Sequence, residues 1–167
     1  MKLLKLIFLF VLLVQALLIQ ASLVKAEGTE SPLVVLKYFD IGSFEKIVKD
    51  KKKQDHLVVF WSITCQPCLG ELKKISKLHK QYPEYQFTLV STDYSLEKET
   101  IMGILQDYDL AEVDNWVFAN RDETKLRYDI DPRWFGDLPR SYFFPLQGEI
   151  KRLRGALTSA ELLALFQ

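Results

Sequence analysis

The chain has 167 residues, 49% hydrophobic and 26% charged, with 22 Lys and Arg against 22 Asp and Glu. That balance excludes collagenous, disordered and coiled-coil classes and leaves one ordinary globular domain. A zero formal charge, with basic residues spread along the chain, lacks the footprint of a phosphate-reading surface, so no nucleic-acid partner is expected.

Met1 to Ala26 reads as an export signal. Lys2 and Lys5 form a basic start, Leu6 to Leu18 is apolar apart from Gln15, and Val24 and Ala26 flank Lys25 at the small-residue positions of a cleavage site after Ala26. The alternative is an uncleaved anchor, but the apolar run falls short of the roughly 20 residues a bilayer span needs. No Cys follows the run, which argues against a lipid anchor. Loss of residues 1–26 removes Lys2, Lys5 and Lys25, so the remaining residues 27–167, with one domain expected over 31–167, are mildly acidic. A domain of that size buries enough surface to fold without disulfide staples.

Leu33 to Phe39 is a β-rich apolar run, and Ser43 is placed to cap a helix over Phe44 to Lys53, with Phe44, Ile47 and Val48 on one face. Lys51 to Lys53 then forms the solvated end of that helix, where cations suit the dipole; a basic binding patch is the alternative. Leu57 to Trp61 is apolar without a break, the pattern of a central strand buried on both faces, and it leads directly into Cys65. After Pro67 an amphipathic helix runs to about Tyr82, with Leu69, Leu72, Ile75 and Leu78 inward and Lys73, Lys74, Lys77 and Lys80 outward. Phe87 to Ser91 follows as a strand, Leu96 to Tyr108 as a helix, Trp116 to Ala119 as a short strand and Glu123 to Tyr128 as a short helix. The chain ends with Ser141 to Pro145, a Gln147-Gly148 turn, Ile150 to Leu153 and a helix capped at Thr158-Ser159 that reaches Phe166, an antiparallel hairpin and then a helix. Alternating β and α with no linker or repeat predicts one α/β domain.

Cys65 and Cys68 are the only cysteines. A crosslink closing so short a loop gains little by restricting the unfolded chain, so C-x-x-C is a redox pair or half a metal site rather than a staple. A closed zinc site needs two further ligands, and the histidines, His56 before a strand and His79 among lysines on a helix, are poorly placed to supply them; no metal is expected. At a helix N-terminus the unpaired N–H groups and the dipole favour thiolate, which makes Cys65 the nucleophile. Cys68, one turn further in, resolves the mixed disulfide, and Pro67 fits the first helical turn.

Phe60-Trp61-Ser62-Ile63-Thr64-Cys65-Gln66-Pro67-Cys68 resembles the thioredoxin-superfamily active site, F-W-x-x-W-C-x-P-C, and Gly136 to Phe144 resembles that family's cis-proline loop and following strand. The resemblance implies a thioredoxin-like fold, a central mixed β-sheet flanked by helices. It also implies a cis Leu138-Pro139 bond facing the cysteines and a Leu138 backbone that pairs with an extended substrate segment. Trp61, Thr64, Gln66 and Pro67 complete the implied substrate-binding set. The alternative for Pro139 is the plain start of an edge strand. The stretch from Cys68 to Pro139 exceeds a minimal thioredoxin by the helix, strand and short helix of residues 96–128. This insertion before the cis-proline, with the export signal, looks like the TlpA/ResA-like branch.

That branch implies an exported thiol-disulfide oxidoreductase with no cofactor beyond the Cys65–Cys68 disulfide, often a reductant in cytochrome c maturation or thiol repair. The implied partners are exported protein disulfides and a membrane-embedded thiol donor of the DsbD/CcdA kind; the implied location is periplasmic or extracytoplasmic. Three departures stand out. Thr64 replaces the usual Trp, Val59 stands where thioredoxin has a buried Asp, and Lys73 replaces a kinking Pro, so Glu71, Asp93 or water must take the resolving proton. Gln66-Pro67 carries no cation to stabilise thiolate, which favours a reductant over a disulfide-forming oxidase or isomerase. A binding or Cu(I)-delivery module is the alternative of another class, with Met102 and His79 as weakly placed extra ligands. Trp134 and Phe135 suit either a groove wall or the core, and Asp129, Asp131, Asp137, Arg133 and Arg140 read as a solvated loop rather than a charged recognition site.

Overall fold

A computed structural model describes residues 32–50, 54–119 and 122–167, together with Lys5, Phe10 and Gln15. The expected signal with its cut after Ala26, and Lys51 to Lys53, lie outside the described residues apart from those three positions. In chain order the elements are β1 (Leu36–Phe39), α1 (Ser43–Asp50), β2 (His56–Trp61), α2 (Gln66–Gln81) and β3 (Gln86–Tyr94). A 3₁₀ turn at Ser95–Glu97 leads into α3 (Lys98–Asp107), β4 (Asp114–Phe118), α4 (Glu123–Ile130), β5 (Arg140–Phe144), β6 (Lys151–Arg154) and α5 (Ser159–Leu165).

The strands form a six-stranded sheet in the order β1-β4-β3-β2-β5-β6. β1, β4, β3 and β2 run parallel, while β5 and β6 are antiparallel, so the sheet is mixed as expected. β2 is central because every residue in it is buried, which an unbroken apolar run requires. Alternation along β2 divides the core: Leu57, Val59 and Trp61 pack with Cys68, Leu72 and Ile75 of α2 and with Leu162 of α5. Val58 and Phe60 face Phe39, Ile47, Leu126 and Trp134 on the other side, against α1 and α4. The insertion before the cis-proline enters the sheet as β4, between β1 and β3. The architecture is the thioredoxin-like one expected from the motif.

The boundaries differ from expectation where pairing or capping decides them. β1 starts at Leu36 rather than Leu33, because its register begins at Leu36 opposite Asn115 of β4. β3 runs on to Tyr94, past the expected end at Ser91, through a register irregularity that pairs Tyr94 with Phe118. His56 is the first residue of β2 rather than a residue before it, and its Nε2 meets Thr88 Oγ1 at 2.9 Å. Ser43 does not cap α1 as expected; it lies in the helix, and its hydroxyl accepts from Asp40 N–H at 2.9 Å. The last helix does carry a capping box, with Thr158 accepting from Glu161 N–H and Glu161 accepting from Thr158 N–H.

Leu72 is fully buried on the α2 face that packs on β2. Leu72→Ala should cost about 2–5 kcal/mol of stability, read by urea unfolding of the oxidised protein. A cost below about 1 kcal/mol would mean that α2 does not carry the core on this face.

Candidate active site

The polypeptide turns out of β2 and into α2 at Cys65. A helix leaves its first N–H groups without partners, and here Cys65 is the N-cap, with Sγ accepting from Cys68 N–H at 3.3 Å. Pro67 occupies the first turn, where its missing N–H costs nothing. The two sulfurs are joined as a disulfide, with Cα atoms 5.2 Å apart. Cys68 is buried, Cys65 is half-buried, and Thr64, Gln66 and Pro67 are exposed around them. Reagents therefore meet the Cys65 side of the pair first, which suits nucleophilic attack by Cys65 and resolution by Cys68. Trp61, expected in the substrate-binding set, is instead packed in the core with α2, because the pleat turns it to that face of β2.

Sequence reasoning missed what holds the turn before Cys65. Asp93 Oδ2 accepts from the Ile63 N–H and its Oδ1 from the Ser62 hydroxyl, both at 2.8 Å, and Ser91 Oγ donates to Oδ2 at 2.7 Å. Ser62 Oγ in turn accepts from Thr64 N–H at 3.3 Å and meets Thr64 Oγ1 at 3.1 Å. Cys65 N–H closes the turn on Ser62 O at 3.1 Å. Parallel register sets Ser91 beside Trp61, so the next residues of β3 lie beside this loop. Thr64, where the motif it resembles has Trp, is a member of the network. Asp93 was a candidate proton acceptor, but its oxygens are spent on the loop; the one available signal was its position two residues past Ser91, the expected end of the strand.

Glu71, the other candidate, lies on α2 one turn beyond Cys68 and is fully buried at 0% exposure. Neither carboxylate oxygen has a hydrogen-bond partner among the described residues. Burial pushes its pKa up to about 7, opposed by the Leu157 backbone and by Lys74. Lys74, expected on the wet face, bonds its ammonium to Leu157 O at 2.8 Å.

The Leu138–Pro139 bond is cis. Antiparallel register pairs Phe60 with Arg140, so Pro139 comes level with Trp61 at the end of β2 that leads to Cys65. Gly155 at the end of β6 takes a left-handed φ of 76° and donates its N–H to Pro139 O at 3.0 Å. Trp134 is buried against Phe60 with its Nε1–H on Asp137 O at 2.9 Å, whereas Phe135 is 88% exposed. The two aromatic residues thus divide between core and surface. The expected solvated loop is corrected too: Asp131 and Arg140 are buried and paired. His79 packs edge-on against Phe87, and Met102 packs on the core. No group of three or more metal-ligating side chains occurs among the described residues.

Two outcomes follow from these carboxylates. Between pH 4.5 and about 7 folded Glu71 keeps a proton that the unfolded chain releases, so stability falls as pH rises through that window and is level above it. Glu71→Gln should flatten the window and gain up to about 3 kcal/mol over wild type at alkaline pH, measured by urea unfolding across pH. Asp93→Ala strands the Ile63 N–H and two hydroxyls, and should cost about 1–3 kcal/mol and slow disulfide exchange at Cys65. Asp93→Asn, which keeps a carbonyl acceptor, should fall between; exchange at the wild-type rate in the Ala variant would show that the loop does not depend on Asp93.

No protein-family model matches the chain. It is 26% identical over 112 residues to the thiol-disulfide oxidoreductase ResA of Oceanobacillus iheyensis, a match spanning 66% of this chain and 55% of that protein. Among solved structures it resembles a secreted Mycobacterium tuberculosis disulfide oxidoreductase homologous to E. coli DsbE, with TM-score 0.57 and 16% identity over 71% of this chain and 84% of that one. StoA of Bacillus subtilis gives TM-score 0.51 and 20% identity over 69% and 84%. A putative thioredoxin of Neisseria meningitidis gives 0.52 and 22% over 70% and 74%. With its mixed sheet, its C-x-x-C pair capping α2 and its cis-proline alongside, the chain has the thioredoxin-like fold of these structures and is similar over part of its length to the thiol-disulfide oxidoreductase ResA.

Proposed function

We propose that this protein is an exported thiol-disulfide oxidoreductase that reduces disulfides in other exported proteins. The observation that carries the reading is a half-buried Cys65 at the N-terminus of α2, bonded to a buried Cys68. In the reduced protein the Cys65 thiolate attacks a substrate disulfide, forms a mixed disulfide and releases one substrate thiolate. Cys68 then gives up its proton and attacks Cys65 Sγ; the second substrate sulfur leaves and the Cys65–Cys68 bond closes. Two electrons have passed to the substrate, which ends as a dithiol. Glu71, buried one turn beyond Cys68, is the candidate acceptor for the Cys68 proton, a role open to it only where it is itself ionised, at and above about pH 7.

The direction rests on the Gln66-Pro67 loop, which places no cation between the cysteines and leaves the thiolate pair less stabilised and more reducing. Export rests on the reading of residues 1–26, and among the described residues no helix is long and apolar enough to cross a membrane. Disulfides met in cytochrome c maturation or thiol repair are the substrates this reading points to. Turnover then requires a dithiol donor across the membrane, of the DsbD/CcdA kind, to reopen the Cys65–Cys68 bond.

Cys68→Ala should accumulate a covalent complex with an exported protein through Cys65, seen as a reductant-sensitive band on a non-reducing gel. Cys65→Ser should form none and lose protein-disulfide reduction. A Cys68→Ala protein that traps no partner through Cys65 would contradict these roles.

A further inference from the structure

The charged groups beside the cis-proline are arranged as a site rather than a solvated loop. Asp131 and Arg140 have side chains only 6% and 3% exposed, and Arg140 Nη2 lies 3.4 Å from Asp131 Oδ2. Burial raises the Asp131 pKa, but the Arg133 amide and guanidinium, with Arg140, outweigh it and hold the carboxyl below its usual value. One carboxylate balances one guanidinium, so Arg140 alone neutralises Asp131. Two more arginines nevertheless converge there, Arg133 through Nε at 3.3 Å and Arg152 through Nε at 3.5 Å. Arg154 approaches Asp137 in the same way, Nε to Oδ2 at 3.8 Å, where Arg140 Nη1 also lies at 3.8 Å.

Each of Arg133, Arg152 and Arg154 thus meets its aspartate through Nε. Their terminal Nη groups have no hydrogen-bond acceptor among the described residues, and the side chains stay 71%, 48% and 63% exposed. These are the edges of guanidinium that grip a carboxylate bidentately; Arg133 is held beforehand by its Nε hydrogen bond to Asp131, and Arg152 and Arg154 by longer ion pairs. Four guanidiniums against two carboxylates leave a local excess of positive charge on a domain that is otherwise mildly acidic.

The place matters as much as the charge. Arg140 follows cis Pro139 directly and pairs in register with Arg154, while Arg152 pairs with Tyr142. Gly155, next to Arg154, holds Pro139 O. Arg140, Arg152 and Arg154 share the α1/α4 face of the sheet with Phe60 and Tyr142, opposite the face that packs Cys68 and α2, so the cations adjoin the cis-proline segment from the β5–β6 edge on that face.

We infer that Arg133, Arg152 and Arg154 recognise an acidic segment flanking the disulfide of the protein substrate, with the Asp131–Arg140 pair fixing them in place. The inference rests on the thiol-disulfide reading for the identity of that partner as a disulfide protein. It gives Arg140, Arg133, Arg152 and Arg154 a task that the exchange chemistry itself does not require.

The test compares synthetic disulfide-linked peptides of equal length whose cysteines are flanked by Asp and Glu or by Lys and Arg, with neutral hydroxyethyl disulfide as the reference. The reduced full-length protein should favour the acidic peptide in kcat/KM by about tenfold at low salt, with the preference shrinking as salt screens it. The triple variant Arg133→Gln, Arg152→Gln, Arg154→Gln should lose most of that preference, and its kcat/KM should fall about tenfold more for the acidic peptide than for the neutral disulfide. Arg154→Gln alone, which leaves Asp131 its partners, should lose a two- to threefold part, so a folding defect in the triple variant does not decide the matter. Equal rates on acidic and basic peptides, or a preference that survives the triple variant, would overturn the inference. Should wild type fail to exchange with the neutral disulfide, the redox reading falls instead. The surface is then judged by calorimetric titration with the acidic sequence lacking cysteine, where equal binding to wild type and triple variant overturns it.

Discussion

A helix cannot satisfy its own first N–H groups, and in this protein the atom that meets them is a sulfur. Everything that makes the cysteine pair more than a crosslink depends on Cys65 being the N-cap of α2. The cap places Sγ against the Cys68 N–H and at the positive end of the helix dipole, where a thiolate is favoured over a thiol. It also divides the pair, leaving one sulfur within reach of solvent and the other buried beneath it. The fold delivers this arrangement by burying β2 on both faces, so that the strand has one position in the sheet, and by letting α2 begin where the strand ends.

Two charge systems, one half-buried and one buried, hold the parts around that cap. On the β3 side Asp93 gathers Ser62, Ile63 and Ser91 and fixes the turn into Cys65. On the β5 side Asp131 and Arg140 fix the segment that follows the cis-proline. Both carboxylates come from outside the C-x-x-C motif. A buried ion pair repays its desolvation poorly as a source of stability, so a pair at the cis-proline is better understood as fixing geometry than as strengthening the fold. Glu71 is of the opposite kind, a buried carboxyl whose oxygens have no hydrogen-bond partner among the described residues, and burial raises its pKa to about 7.

Much of this was legible in the sequence because it rests on local patterns. Leu57 to Trp61 announced a central strand by having no polar face, and Pro67 between the cysteines announced the first turn of a helix. The cap expected at Thr158-Ser159 marked the last helix within a residue of its observed start. The insertion was visible as excess length, although the entry of β4 between β1 and β3 was not, since strand order follows from pairing across the chain rather than from periodicity. The Asp93 network and the Asp131–Arg140 pair were not legible for the same reason: a Ser, an Asp or an Arg in an apparent loop looks solvated until tertiary structure buries it. Trp61 was misplaced by a finer effect, because the motif named the residue while the pleat decided which way its ring points.

The central claim is that Cys65 and Cys68 form a reversible, reducing dithiol–disulfide couple, and the equilibrium reduction potential of the folded protein tests it most directly. Titration against a thiol–disulfide buffer of known poise should give one two-electron transition near or below about −250 mV. A value near −120 to −180 mV would make the protein an oxidant or isomerase and contradict the proposed direction. The absence of any reversible couple would contradict the redox account altogether.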